Sequence, residues 1–363
     1  MAVAGNGASG QPFAVTDVGR GGMTMLLRAE PSRSDVAPDG PPRSGEAGSR
    51  LVLRDLQDAA AERKALVAGL LATRASIAPR YLYDPAGCAL FGAICELPEY
   101  YPTRTEAAIF ERHRSEIVAA AGTGKQLVDL GAGDCRKAAA WIPWLSPRRY
   151  VAVDIAEGAL AGALGRLAAG HPSIEVLGVV TDFTTGLDLH RILRARPATF
   201  FYPGSSIGNF LPEEAERFLR SIRRHCRVAP GSGLLIGVDT RKDPRRLHAA
   251  YADGAGVTAA FNRNVLNHVN RVLGTGFDPA AFDHVASYDE DLGRVAMHLE
   301  ARRVQTVHIE GIARRFGVGE LIHTENAYKY TPLQFATMLD RAGFERVHRW
   351  QDDAGDFLVF YAQ

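Results

Sequence analysis

Two glycines separated by one residue, Gly131 and Gly133, follow the apolar run Gln126-Leu127-Val128-Asp129-Leu130. They lead into Cys135-Arg136-Lys137-Ala138-Ala139-Ala140-Trp141, a good helix former. A strand that ends in such a turn and opens a helix lets a cofactor approach the backbone without interference from Cβ atoms. About twenty residues on, a second apolar run, Tyr150-Val151-Ala152-Val153, ends in Asp154, a spacing that suits a carboxylate gripping the two hydroxyls of a ribose. A third glycine is missing, which argues against a dinucleotide whose pyrophosphate sits on the helix N-terminus. A nucleoside cofactor without phosphates fits better, S-adenosylmethionine being the common one. Taken alone, the turn also fits an ordinary strand-to-helix connection with incidental glycines.

The elements around this turn read as a doubly wound sheet. Strands are expected at 126–131, 149–153, 174–179, 198–203 and 233–238, with helices at 135–142, 157–168, 187–194 and 212–227. Such alternation predicts a parallel α/β sheet with right-handed crossovers, whose ligands collect at the carboxyl ends of the strands. Gly131, Asp154, Asp182 and the loop Gly204-Ser205-Ser206-Ile207-Gly208-Asn209 all fall there. The pattern lapses between 241 and 328, which hold a long helical stretch (Leu247, Tyr251, Val257, Phe261, Val265, Val269) and then antiparallel strands near 284–308. We read this as an inserted α+β subdomain over the sheet edge. A helix at 332–342 and strands at 344–350 and 356–362 complete a seven-stranded, Rossmann-like layout of the kind methyltransferases use.

Upstream, residues 1–50 are rich in Gly, Ala, Ser, Pro and Arg and lack sustained apolar periodicity, so a disordered tail is expected. Met23-Thr24-Met25-Leu26-Leu27 is its main apolar island. A helical pattern runs from Asp55 to Thr73, and Tyr81-Leu82-Tyr83-Asp84-Pro85 turns into a helix that ends near Leu97. After the proline-bracketed loop Pro98-Glu99-Tyr100-Tyr101-Pro102, Thr103 and Glu106 read as a capping box for a helix to about Ala121. The organisation expected is therefore a tail (1–50), an N-terminal helical part of the substrate subdomain (51–121), the cofactor-binding core (122–240), the insertion (241–328) and the end of the core (329–363).

A hydrophobic content of 46% and a charged content of 23% are those of a globular protein, and a net charge of +1 supplies no basic field for nucleic acid. No apolar run reaches the roughly eighteen residues of a membrane span. Cys88, Cys95, Cys135 and Cys226 contain no Cys-x-x-Cys pattern, which fits free thiols in the cytoplasm and neither disulfides nor a metal. Cys88 and Cys95 share a helix face as small core residues.

Several longer stretches stand in a characteristic order: Pro98-Glu99-Tyr100-Tyr101-Pro102-Thr103-Arg104, Tyr202-Pro203-Gly204-Ser205-Ser206-Ile207-Gly208-Asn209-Phe210, Phe261-Asn262-Arg263-Asn264-Val265-Leu266 and Ile322-His323-Thr324-Glu325. From about 56 to 363 the chain resembles the histidine Nα-methyltransferases of ergothioneine biosynthesis, which turn histidine into its trimethylated betaine, hercynine. The resemblance implies S-adenosylmethionine contacts at Gly131, Gly133, Lys137, Asp154, Asp182 and Phe183, with Asp154 at the ribose and Asp182 near the adenine. It implies that Tyr100, Asn209 and Tyr251 surround the amino acid's backbone end, that Glu325 binds the imidazole, and that Met297 lies beside it. Tyr83, Phe91 and Gly204 would line the substrate cavity. One departure is Ala327, where the family's histidine enzymes usually carry a serine that also contacts the ring. Losing that hydroxyl costs on the order of 1 kcal/mol, which keeps tryptophan or another aromatic amino acid in play.

Methyl transfer from a sulfonium to an amine is an in-line displacement with a neutral leaving group, so the protein must supply alignment and a deprotonated amine rather than a metal. Asn209 and Tyr251 would hold the carboxylate and Glu325 a ring N–H. Gly204 leaves room for a nitrogen that turns between successive transfers, and water or Tyr83 carries the proton. The residues alone also allow plainer roles. Tyr100 could pack on Pro102, Asn209 could cap a helix beginning at Pro212, Tyr251 could be core, and His323 could be structural. The expected partner is a small-molecule amino acid, with neither nucleic acid nor membrane, and the expected state a monomer. A non-catalytic adenosylmethionine-binding regulator is the reading from another class, and an amino-acid pocket argues against it.

Overall fold

Apolar runs that alternate with helix formers between 126 and 239 leave both faces of each strand to be covered, and the protein covers them. A computed structural model of the protein describes residues 25–28, 51–55, 58–183 and 186–363. Seven strands of the main sheet lie in the order Glu175–Val180, Arg149–Asp154, Gln126–Leu130, Ala198–Tyr202, Gly233–Asp239, Phe357–Ala362 and Val347–Gln351. The first five are parallel; Phe357–Ala362 runs antiparallel to Gly233–Asp239 and to Val347–Gln351. Alternate residues feed two cores. Val128, Val151, Phe200 and Leu234 face one layer, while Leu127, Tyr150, Phe201 and Leu235 face the other. Strand order reverses between Gln126–Leu130 and Ala198–Tyr202, which opens a crevice beyond their carboxyl ends.

The main sheet extends further than expected. Leu51–Asp55 pairs in parallel with Glu175–Val180, and Met25–Arg28 pairs with Leu51–Asp55. An edge strand presents a row of unpaired N–H and C=O groups, and the apolar segment Leu51-Val52-Leu53 satisfies it. Met25–Arg28 falls inside the stretch expected to be a tail; the rest of that stretch lies outside the described residues.

Helix boundaries differ where side chains compete for backbone groups. The first helix is Ala59–Leu71, with Asp58 accepting the Ala61 N–H at 3.0 Å. The helix expected to start at a Thr103–Glu106 capping box starts at Tyr101 instead and runs to Arg112, with a break at His113 before Arg114–Ala121. Pro102 at the second helical position needs no N–H partner, so the helix begins before the threonine. The long helical stretch after 241 is two helices, Pro244–Tyr251 and Val257–Leu273. The first ends at its cap residue Ala252, and Asp253 helps start the second by accepting the N–H groups of Val257 at 2.9 Å and Thr258 at 2.8 Å.

A second, four-stranded sheet has the order Ala75–Ser76, Leu321–Tyr328, Arg294–Ala301 and Phe282–Asp289. It shares a core with Leu66, Leu82, Tyr101, Phe261 and Val265, so residues before and after the main sheet build one apolar layer. This layer lies over the carboxyl ends of the central strands rather than a lateral edge. The turn Ser206–Asn209 and the last residue of Gly233–Asp239 both reach into it. Among the described residues no helix is long and apolar enough to cross a membrane, and no group of three His, Cys, Asp or Glu side chains could hold a metal.

Candidate active site

The glycine turn closes as its residues require. Gly131 has φ +69° and Gly133 φ +52°, a left-handed backbone that side chains other than glycine's resist. Asp154, at the end of the neighbouring strand, accepts the Gly133 N–H on Oδ2 at 2.7 Å and the Ala156 N–H on Oδ1 at 2.8 Å. Burial pushes its carboxyl up, and the backbone N–H groups oppose that shift. A carboxylate accepts about four hydrogen bonds, so Asp154 can hold the turn and receive ribose hydroxyls as well. Phe183 stands over the turn: a Cβ at Gly131 would lie 3.9 Å from its ring, which also meets Tyr202 edge-on. Asp182 is buried and ion-paired with Arg80. An apolar ring, a buried acid and an exposed-backbone turn fit a nucleoside that carries no phosphates.

Lys137, on the helix after the turn, reaches Glu106. Its Nζ donates to Glu106 Oε2 at 2.7 Å, while the Gly204 N–H donates to Glu106 Oε1 at 2.6 Å. Burial works against the Lys137 ammonium, but the Glu106 carboxylate overrides it and holds the lysine above its ordinary pKa. Glu106 is 1% exposed and also abuts Gly237, where any Cβ would collide with the carboxylate. The residue read as a helix cap is thus the tie between the cofactor turn and the loop at Gly204.

Beside the cradle lies a cavity of about 570 Å³, counting its mouth. Tyr83, Phe91, Tyr100, Gly204, Asn209, Tyr251, Met297 and Glu325 all line it, so eight residues expected at the substrate meet there from five parts of the chain. Ala327 does not line it; it is buried in the adjoining core, opposite Val295. The wall is a chain of edge-on aromatics: Tyr83 on Phe91 and Phe261, Phe91 on Tyr100, and Tyr100 on Tyr251. Tyr100 therefore packs on rings as well as beside Pro102, and Tyr251 is at once core and cavity wall.

Glu325 owes its aim to a β-bulge. Met297 pairs with Glu325 and His298 with His323, leaving Thr324 as the extra residue, whose hydroxyl donates to Met297 O at 3.0 Å. A bulge re-aims the neighbouring side chain. Glu325 accepts on Oε1 from Asn209 Nδ2 at 3.0 Å and, at the long limit of 3.5 Å, from the Tyr83 hydroxyl. Burial pushes its carboxyl up to about 7, with Lys329 and the Tyr83 hydrogen bond pulling the other way. Tyr83, Tyr100 and Tyr251 are all raised well above the ordinary phenol value, by burial first, so each is a neutral donor near pH 7. Asn209 does not cap Pro212–Val228, which begins after Leu211; it ends the turn Ser206–Asn209 and faces Glu325. His323 hydrogen-bonds Asn326 at 3.0 Å, outside the cavity lining.

Two charged lining residues escaped the sequence reading. Asp239 ends the fifth strand as Asp154 ends the second, and that shared signal could have revealed it. Lys329, just past Leu321–Tyr328, ion-pairs with Asp239 at 2.6 Å and carries no motif.

Comparison with known proteins agrees with this geometry. Residues 62–363 match the model of the family described as "Histidine-specific methyltransferase, SAM-dependent". A histidine N-alpha-methyltransferase of Mycolicibacterium smegmatis is 41% identical, covering 83% of this chain and 94% of that protein. One of Mycobacterium tuberculosis is 38% identical over 81% and 92%. A more distant relative, the L-tryptophan methyltransferase trpM of Psilocybe serbica, is 27% identical over 82% and 91%. With this match running through the core, the second sheet and both halves of the cavity wall, the chain belongs to the histidine-specific, S-adenosylmethionine-dependent methyltransferase family.

Proposed function

We propose that the protein methylates the α-amino group of histidine, in the cytoplasm, as far as the trimethylated betaine hercynine. The observation that carries this reading is the buried Glu325 on a cavity that also presents the neutral donors Asn209 and Tyr251. An amino-acid zwitterion needs donors for its carboxylate, and an imidazole needs an acceptor for its ring N–H. The cavity offers both within one side-chain length. Four free thiols, at Cys88, Cys95, Cys135 and Cys226, support the reducing compartment.

Gly131, Gly133, Asp154, Asp182 and Phe183 would hold S-adenosylmethionine, with Lys137 acting through Glu106. Bound there, the cofactor supplies a methyl group on a sulfonium, already activated for displacement. The chain's own work is placement. An Asn amide has two N–H donors; one of Asn209's is on Glu325, and the second can take the substrate carboxylate together with the Tyr251 hydroxyl. Glu325, as the anion, receives the ring N–H, so the amine lies between two anchors and faces the gap at Gly204. Tyr83 keeps its proton at neutral pH, so the proton lost by the substrate ammonium goes to water or is relayed through the Tyr83 hydroxyl to Glu325.

A second substrate, tryptophan, rests on the alanine at 327, two residues from Glu325 on the same strand though behind the cavity lining, where a serine would add a hydroxyl. One assay tests both readings. The protein is incubated with S-adenosylmethionine and each proteinogenic amino acid, and products are weighed for one, two or three added methyl groups. Histidine should reach three. A greater shift on tryptophan overturns the substrate, and no shift on any amino acid overturns the activity.

A further inference from the structure

Behind Tyr251 sits a buried ionic cluster of Asp239, Lys242 and Lys329. Asp239, 0% exposed, receives Lys329 Nζ on Oδ2 at 2.6 Å, Lys242 on Oδ1, and the Tyr101 hydroxyl at 2.8 Å. Burial opposes the Asp239 anion, but the two ammonium groups hold its carboxyl below the ordinary value. Lys242 turns away, toward the Tyr101 hydroxyl at 2.6 Å and Asp356 O at 2.7 Å. Lys329 turns the other way and donates to the Tyr251 hydroxyl oxygen at 2.8 Å. It also lines the cavity, together with Asp239.

We propose that Lys329 is a positioning residue for the substrate's carboxylate, acting through Tyr251 and through its own charge. A lysine ammonium only donates, whereas a tyrosine hydroxyl donates one hydrogen bond and accepts others. With Lys329 on its oxygen, Tyr251 directs its hydrogen elsewhere, and the cavity it lines is where an acceptor would sit. Lys329 is a cation on the cavity lining, and in a poorly solvated place its field acts strongly on an anion beside Tyr251. A hydroxyl polarised by an ammonium is also a better donor to a carboxylate than an isolated phenol. This inference rests on the proposed amino-acid substrate, though not on which ring that amino acid carries.

The test measures steady-state kinetics with the amino acid that the full-length protein methylates and with the corresponding amine lacking the carboxylate: histidine against histamine, or tryptophan against tryptamine. Lys329→Met should raise KM for the acid with a smaller change in kcat and leave the amine nearly unaffected. Preference for the acid should fall about 10- to 100-fold. Tyr251→Phe should do the same, and the double variant should be no worse than the more affected single one. Lys329→Arg, which keeps the charge, should restore part of the preference. Should Lys329→Met fail to fold, Lys329→Gln keeps an N–H donor without the charge and should lose preference in part. Equal losses on acid and amine, retained preference, or additive effects of the two substitutions would overturn the role of Lys329. If the unaltered protein methylates no amino acid, the underlying reading fails instead.

Discussion

Asn209 Nδ2 lies 3.0 Å from Glu325 Oε1, although 116 positions separate the two residues in the chain. One residue comes from the loop after a central strand, the other from the bulged strand of the second sheet. Their hydrogen bond joins the two anchors, so whatever aligns the loop at Gly204 also aligns the acid that meets the ring.

Glu325→Gln should separate charge from shape. Burial raises the carboxyl from 4.5 to about 7, which by linkage is worth roughly 3 kcal/mol. Between these values the folded protein keeps a proton that the unfolded chain has released. The contribution of Glu325 to stability therefore falls as pH rises through that window and is lowest above 7. Glutamine still accepts from Asn209, so the variant should be the more stable protein, by a wider margin at pH 8 than at pH 5 in thermal unfolding. Its activity on histidine should fall at least tenfold, and the limb of the pH–rate profile that rises through about 7 should disappear.

Glu106→Ala removes the acceptor for both Lys137 and the Gly204 N–H. Leaving the half-buried Gly204 N–H and the partly exposed Lys137 ammonium without this acceptor should cost about 1 kcal/mol of stability. Lys137 would be released toward the cavity and Gly204 would lose its fixed position. Denaturant unfolding should show the loss, and KM for both S-adenosylmethionine and the amino acid should rise. A change in one KM alone would show that Glu106 does not link the two halves.

Gly204→Ala tests the space beside the reacting nitrogen. Gly204 has φ +77°, and a Cβ there would stand 3.1 Å from Lys137 Nζ. The strained backbone should cost about 1 kcal/mol, and the methyl group should narrow the site. The expected product distribution shifts from three added methyl groups toward one and two, read by mass at equal conversion. An unchanged distribution would remove Gly204 from the account of repeated transfer.

Ala327→Ser should tighten histidine binding by about 1 kcal/mol and weaken that of tryptophan, as measured by calorimetry. Ala327 is buried and lies two residues beyond Glu325 on one strand, so both side chains point to the same face of the sheet. Ala327 lies in the core beside the cavity rather than on its lining, so the serine hydroxyl must turn toward Glu325 to reach the ring. Unchanged histidine affinity would show that the hydroxyl finds a backbone partner instead.

The sequence by itself determined what depends on local order. Apolar alternation specifies the parallel strands, because each must be covered on both faces. The Gly131–Gly133 turn with Asp154 about twenty residues later specifies the cofactor crevice, because glycine adopts that backbone without the strain a Cβ would add. Long ordered motifs contain the cavity residues Tyr100, Asn209 and Glu325, and the family resemblance they carry implied Tyr83, Phe91, Tyr251 and Met297. Only the tertiary structure decided what depends on which side chain reaches a buried partner first. Glu106 has the spacing of a cap, yet turns inward because Lys137 and the Gly204 N–H, 31 and 98 positions away, leave it no other satisfied place. Thr324 becomes a bulge only against the register of Arg294–Ala301. Lys329 carries no motif, and acquires its meaning only where Asp239 and Tyr251 converge on it, since a buried charge is tolerable only beside its partners.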